Sequence, residues 1–396
     1  MIGIVVSGDA GHELDDEDRP SRRRCLQAQI QVATVGMLGR IEIPADVVDS
    51  DEAHMDAADG RRKLRARYPN ALHLGWTATP CRLDGRGLSK EYDDIVVVAS
   101  PSDLIALGHI VEPRVFTVPK EILPDLANVK RISGDFEHAE LSKRVRRRAI
   151  VGGIVDNWQR LADGRSTVAF SVTREHSKQI VRSFRDAKIE AVHIDGENAP
   201  AERRAILAAY ERGDIQILSC CELLSTGWNS PRTKCVIQAR PTLSLPLHLQ
   251  QTGRSMRPWG NVGALILDHA GNAMRRGLGL PTEERDWQGI FRTETRPTPA
   301  KSSTRECSGC HMVVAARTDA CSHCGVVHER TPPAVGPELT SILEEVGASG
   351  KVDNSAEERR AAWSAIQQVA SDIGADMTWA TRIFDARFNE SQACIN

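Results

Sequence analysis

Aromatic residues are scarce in this chain, only 4% of 396 positions. So small a supply argues against a surface that grips nucleic acid mainly by stacking its bases. Net charge is almost absent too. The 51 basic and 53 acidic side chains leave −2, so any surface that attracts a polyanion has to be local. No run of 18 apolar residues occurs, and the first residues do not read as a secretory signal. A cytoplasmic protein with no membrane partner is therefore expected. Also missing is a GxxxxGK(S/T) string, the loop whose backbone N–H groups and lysine cradle nucleotide phosphates. The one Gly-Lys pair, Gly350-Lys351, is followed by Val352 and has no leading glycine. Of ten cysteines, four form two CxxC pairs and six are scattered. In a cytosolic chain this favours a metal over disulfides.

What is present is ordinary in bulk, 41% hydrophobic and 26% charged, with enough chain for two or three domains. Residues 1–10 open with a short apolar run, 11–24 are densely charged and read as a solvated loop, and 29–38 read as a strand entering a helix. A basic helix starts near 140, carries Lys143, Arg144, Arg146, Arg147 and Arg148, and runs to Leu161. Strands then alternate with helices: strands at 167–172, 191–194, 216–219, 236–239 and 264–268, helices at 174–187 and 200–212. That alternation predicts an α/β fold with a parallel, doubly wound sheet.

Several strings carry chemistry. In residues 46–54, DVVDSDEAH, a short apolar strand delivers carboxylates to its C-terminal end, where open α/β sheets place ligands. Asp51 suits a hydrated magnesium ion, and Glu52 suits the orientation or deprotonation of an attacking water. His54 is placed to report phosphate state to another motif. By itself the string also fits a plain acidic loop. Residues 72–80, LHLGWTATP, are strand then turn, and the hydroxyls of Thr77 and Thr79 can bond a neighbouring acidic motif. Gln250-x-x-Gly253-Arg254-x-x-Arg257 sets two arginines on one side of a helical turn, where their forks can hold phosphate oxygens. Alone, such a pair is usually a solvated face. Cys307-x-x-Cys310 and Cys321-x-x-Cys324 bend the chain so that four thiolates converge, the pattern of a structural zinc site. Around it lie too few residues for a core, so the metal is expected to supply the folding energy.

In this order, the strings resemble superfamily 2 helicases of the DEAD/DEAH type, close to phage and prophage members that carry a zinc ribbon. The resemblance makes residues 51–54 motif II, TATP motif III and QxxGRxxR motif VI, whose arginines touch the γ-phosphate of ATP. Residues 224–231, with Gly227 and Asn229, stand where motif V belongs. Asn229 occupies a position that is usually acidic, which leaves its role open. The implied architecture is a partial first RecA-like lobe over 1–118, a second RecA-like lobe over 119–292, a zinc ribbon over 300–330 and a helical module over 338–396. Within that module Trp379, Phe384, Arg387 and Phe388 fit either a family feature or a simple helical cap. The implied function is an ATP-dependent DNA or RNA helicase or translocase that uses ATP with Mg2+ and a structural Zn2+, with DNA the more expected partner. Without the phosphate loop, the isolated chain is expected to hydrolyse ATP weakly or not at all. A second polypeptide supplying the missing half-lobe, a start further upstream and a decayed remnant are all compatible with the sequence. The alternative function is a non-catalytic nucleic-acid-binding protein built on the second lobe and the ribbon.

Overall fold

The computed structural model describes residues 2–5, 30–295 and 303–328, apart from 41–42, 120–122, 124, 133, 147–152, 163, 222, 226 and 276, together with scattered positions from 360 to 381. The chain divides into two units, Met1–Glu329 and Arg330–Asn396. In the second unit, residues 363–368 are helical and Ala380 is buried. Trp379, Phe384, Arg387 and Phe388 of the expected helical module lie outside the described residues, as do the charged stretch 11–24, Arg147 and Arg148. Among the described residues, no helix is long and apolar enough to cross a membrane.

The first unit opens with small elements. Strand β1 (Ile2–Val5) pairs in parallel with β2 (Ile30–Ala33), which leads into α1 (Val35–Leu38), capped by the Thr34 hydroxyl. Next come β3 (Val47–Asp51), α2 (Asp59–Arg65) and β4 (Leu72–Trp76), and β3 and β4 form a second parallel pair. A capping box of Ser100 and Asp103 starts α3 (Pro101–Ala106).

The following strand, β5 (Pro113–Thr117), falls where the sequence puts the end of the first lobe, at 118. It instead pairs in parallel with the strand Ala264–Asp268 of a six-stranded sheet, because Val115 and Phe116 bury their side chains in that core. A short antiparallel hairpin, β6 (Arg131–Ile132) and β7 (Asp135–Phe136), precedes α4 (His138–Arg146) and α5 (Ile154–Leu161). The expected single helix is thus described as two segments. Then follow β8 (Thr167–Phe170), α6 (Arg174–Asp186), β9 (Ala191–His193), α7 (Pro200–Arg212), β10 (Ile217–Cys220), β11 (Cys235–Gln238), α8 (Leu245–Thr252), β12 (Ala264–Asp268) and α9 (Trp287–Arg292).

Six strands form one parallel sheet in the order β5-β12-β11-β8-β10-β9. Every residue of β8, β10, β11 and β12 is buried, since helices cover both faces. Side chains alternate as a pleat requires. Ala169, Cys235, Ile237, Leu265 and Leu267 face Trp158, Ile180 and Phe184 on one side. Val168, Phe170, Leu218 and Val236 face Tyr210 of α7 on the other. Local signals agree with this packing. Thr173 caps α6, Pro200 opens α7, and Gly213 ends α7 at φ 94, a left-handed turn that glycine takes without cost. The unit closes with an antiparallel hairpin, β13 (Thr304–Glu306) and β14 (Val313–Ala315).

Candidate functional site

Strand β3 ends at Asp51, and Glu52 then takes a left-handed conformation (φ 51). A non-glycine residue there stores of order 1–3 kcal/mol of strain and has to be held by its surroundings. Arg61 on α2 does the holding. Its Nη1 donates to the carbonyls of Asp51 (2.9 Å) and Glu52 (3.4 Å) and to the carboxylate of Asp56 (2.7 Å). Asp56, itself buried, also accepts from the Tyr92 hydroxyl at 2.5 Å. Burial and the adjoining Asp56 push that phenol well above its ordinary range. Gly75 on β4 completes the packing, because a Cβ there would lie 2.4 Å from the Tyr92 hydroxyl oxygen.

The buried ring of His54 lies next to the turn. Its Nδ1 is 3.1 Å from Thr77 Oγ1 and 3.3 Å from Glu52 Oε2. Thr77 Oγ1 accepts from the Thr79 amide at 3.1 Å, and Thr79 is 1% exposed. The hydrogen bond to His54 holds the Glu52 carboxyl below its ordinary range, against burial, and the charges of His54, Arg254 and Arg61 act in the same direction. Asp51 stays exposed, with Oδ1 accepting the Glu52 amide at 2.9 Å.

The second wall is α8 and the turn after it. Ser244 caps the helix and Gly253 ends it. Gln250 reaches across, its Nε2 lying 3.1 Å from Nε2 of His54. With the ring proton on Nδ1, that nitrogen accepts from the amide. Arg254 is not the solvated arginine that its spacing alone suggests. It is 5% exposed and donates to the carbonyls of Trp228 and Ser225. Burial, then the charge of Arg257, push its guanidinium down to about 10, with Glu52 opposing. Arg257 is half-buried, its own pKa lowered by burial, and its backbone carbonyl accepts from the buried Lys234 ammonium. Arg254 Nε and Arg257 Nη1 are buried without a hydrogen-bond partner. Desolvated, partly unpaired guanidinium groups are a ready donor set for phosphate oxygens. Gly227 and Asn229 are exposed on the loop whose carbonyls hold Arg254, with Gly227 at φ 71.

Away from this cleft, the four cysteine sulfurs lie within 4.8 Å of one another. Cys307 and Cys324 Sγ are 3.6 Å apart, and Cys310 and Cys321 Sγ are 3.7 Å apart. A zinc tetrahedron with bonds of about 2.3 Å has edges of about 3.8 Å, so the set fits the ion, whereas a disulfide needs about 2.05 Å. The two knuckles repeat one geometry. His311 N–H donates to the Cys307 carbonyl and Gly325 N–H to the Cys321 carbonyl, both at 2.9 Å, from left-handed residues at φ 62 and 75.

The structure therefore brings Glu52, His54, Thr77, Thr79 and Gln250 into one network and sets Arg254 within electrostatic reach of Glu52. Gly227 and Asn229 come no closer than the loop behind Arg254. Sequence reasoning missed Arg61, Asp56, Tyr92 and Lys234. Each acts through a contact made by folding, and no spacing of charges announces it.

The helicase conserved C-terminal domain family matches residues 147–258. A 51.5 kDa protein of a Lactococcus phage (isolate 7-9) is 27% identical over 303 residues, 75% of this chain and 66% of the phage protein. IRC3 of Saccharomyces cerevisiae, named as an ATP-dependent helicase, is 27% identical over 216 residues, 52% of this chain and 31% of the yeast protein. Among solved structures, a fragment named as the HsdR subunit of a type I restriction enzyme from Vibrio vulnificus YJ016 shares the fold with a TM-score of 0.52 at 20% identity, covering 68% of this chain and 54% of that one. The chain thus spans 66% and 31% of the lengths of these two curated relatives.

Proposed function

This chain belongs to the superfamily 2 helicases, and on that premise we propose that it works in the cytoplasm as part of an ATP-driven translocase on nucleic acid, DNA in preference to RNA. The observation that carries this reading is the 3.1 Å contact of Gln250 with His54, which joins the carboxylate turn to α8, the helix whose following turn bears the arginines. Both walls of a triphosphate cleft then meet at one hydrogen bond.

In that cleft Asp51 would hold the hydrated Mg2+ and Glu52 would orient and deprotonate the attacking water. Glu52 has its carboxyl lowered, so it is ionised and able to accept the proton at neutral pH. Arg254 and Arg257 would stabilise the charge that develops on the transferring phosphoryl group. His54, bonded to Thr77, Glu52 and Gln250, links the state of the cleft to the meeting of the lobes. Gly227 and Asn229 carry the loop that positions Arg254. A phosphate-cradling segment would add strands to β3 and β4, whose apolar side chains Val47, Leu72, Leu74 and Trp76 stand exposed. Zinc at the four cysteines is structural and closed to substrate.

The test is ATP hydrolysis with Mg2+ and DNA, with and without a fragment that carries a phosphate loop and completes the first lobe. DNA-stimulated turnover that disappears in Glu52→Gln is the expected result. A second reading, a nucleic-acid binder without catalysis, is favoured by one feature: Arg254 already gives two donors to protein carbonyls. DNA binding without turnover under every condition would establish it.

A further inference from the structure

The four-cysteine knuckle is joined to the second lobe through the edge of its sheet. The backbone of Phe116 in β5 bridges in antiparallel fashion to Met312, and the Thr117 amide donates to the His311 carbonyl at 3.1 Å. The Phe116 ring meets the His323 ring edge-on at 5.3 Å. Val313 is 1% exposed and packs with Val115 of β5, Ile266 of β12 and Ala273. The Thr304 hydroxyl donates to the Ala273 carbonyl at 2.7 Å. β5 is the outermost strand of the six, so without these contacts its free edge would expose backbone donors and acceptors.

From these contacts we infer that the metal-bound knuckle is an edge cap for the second lobe, and that metal occupancy sets how firmly β5 is held in the sheet. The inference rests on the reading of Cys307, Cys310, Cys321 and Cys324 as a structural zinc site and is independent of the ATP reading. The apolar cluster of this segment is small, Val314 with Met312 and Val326 packed about the cysteines, so its folding is expected to depend on the ion. The groups that touch β5 sit between the ligands: His311 and Met312 follow Cys310 directly, and His323 lies between Cys321 and Cys324. Loss of the ion therefore releases the Thr117 amide and the Phe116 ring together. A ribbon that served only as a reading head for nucleic acid would have no need to be built into the sheet.

The experiment is hydrogen exchange followed by mass spectrometry on the full chain, loaded with zinc and after chelation, with bound zinc counted in parallel. The expected result is at least tenfold faster exchange in peptides over 113–117 after chelation, with 191–193 at the opposite edge changed less. Zinc bound at one per chain with no change at 113–117 would overturn the inference, whereas no bound zinc would overturn the metal reading beneath it. Should the chelated protein unfold throughout, His323→Ala decides. This variant keeps all four ligands, and it should bind zinc fully yet exchange faster at 113–117. Unchanged exchange in that zinc-loaded variant would also overturn the cap.

Discussion

The six-stranded parallel sheet and the parallel pair β3–β4 differ in a way that says what a parallel sheet requires. In the six-stranded sheet, β8, β10, β11 and β12 are buried along their whole length between layers of helix. In the β3–β4 pair, residues alternate between exposed and half-buried on one strand and are mostly exposed on the other. Leu72 is 60% exposed and Trp76 57%. Crossover helices supply cover on both faces, and two strands alone do not provide it. The second lobe can hold itself together, while the first leans on what it touches. The acidic turn is defined nonetheless, because Arg61, Asp56 and Tyr92 fix it locally.

Separation is the strongest way to break this comparison. A fragment of residues 111–328 with zinc should unfold in one cooperative thermal transition, and a fragment of 30–110 should show none by circular dichroism. A sharp transition in the smaller fragment would mean that the exposed pair is stable without cover. Point substitutions sharpen the contrast. Ile237→Ala, at a fully buried position in the sheet's interior, should cost roughly 2–5 kcal/mol in urea unfolding. Leu72→Ala, at an exposed one, should stay within about 0.5 kcal/mol.

The contrast was only half legible in the residues. The spacing of apolar runs foretells β8 to β12 and the helices α6 and α7 almost to the residue, because a buried strand and an amphipathic helix are local patterns. The helical turn expected to carry Arg254 and Arg257, by contrast, ends before them, at Thr252. The expected helix at 200–212 is observed as Pro200–Arg212, and the strand at 264–268 as Ala264–Asp268. Membership of a sheet is different. Nothing near Pro113–Thr117 tells that it pairs with a strand formed by Ala264–Asp268, so a reading of the residues alone carries the first lobe on to 118. The site divides in the same way. The types and order of Glu52, His54, Gln250 and Arg254 are readable, but that Arg254 turns inward to the Ser225 and Trp228 carbonyls depends on a loop more than twenty residues away.

Acid offers a third comparison. His248 and His269 are buried in the second lobe, and burial pushes each imidazole down from 6.5 to about 4. In the unfolded chain they protonate near 6.5, so stability is at its full value above that pH. It falls as the pH drops toward 4, below which both states are protonated and the loss levels off. The expected loss is roughly 3 kcal/mol for each ring at the low end. In His248→Gln the decline between pH 6.5 and 4 should be shallower. A wild-type urea midpoint that holds constant across this range would mean that these rings protonate without cost in the folded protein.

The smallest expected effect bears on the junction of the two regions. If the contact of Gln250 with His54 joins them, removing both partners should cost less than the sum of removing each. A net hydrogen bond of this kind is worth about 0.5–1.5 kcal/mol. The cycle of His54→Ala, Gln250→Ala and the double substitution should return a coupling of that size in urea unfolding. His54→Ala alone is expected to cost more than Gln250→Ala, since it also strips Thr77 and Glu52 of a partner, but that larger cost cancels in the cycle. Additivity within about 0.3 kcal/mol would mean that the two regions touch here without holding each other. The cleft would then have to be closed by something other than this bond.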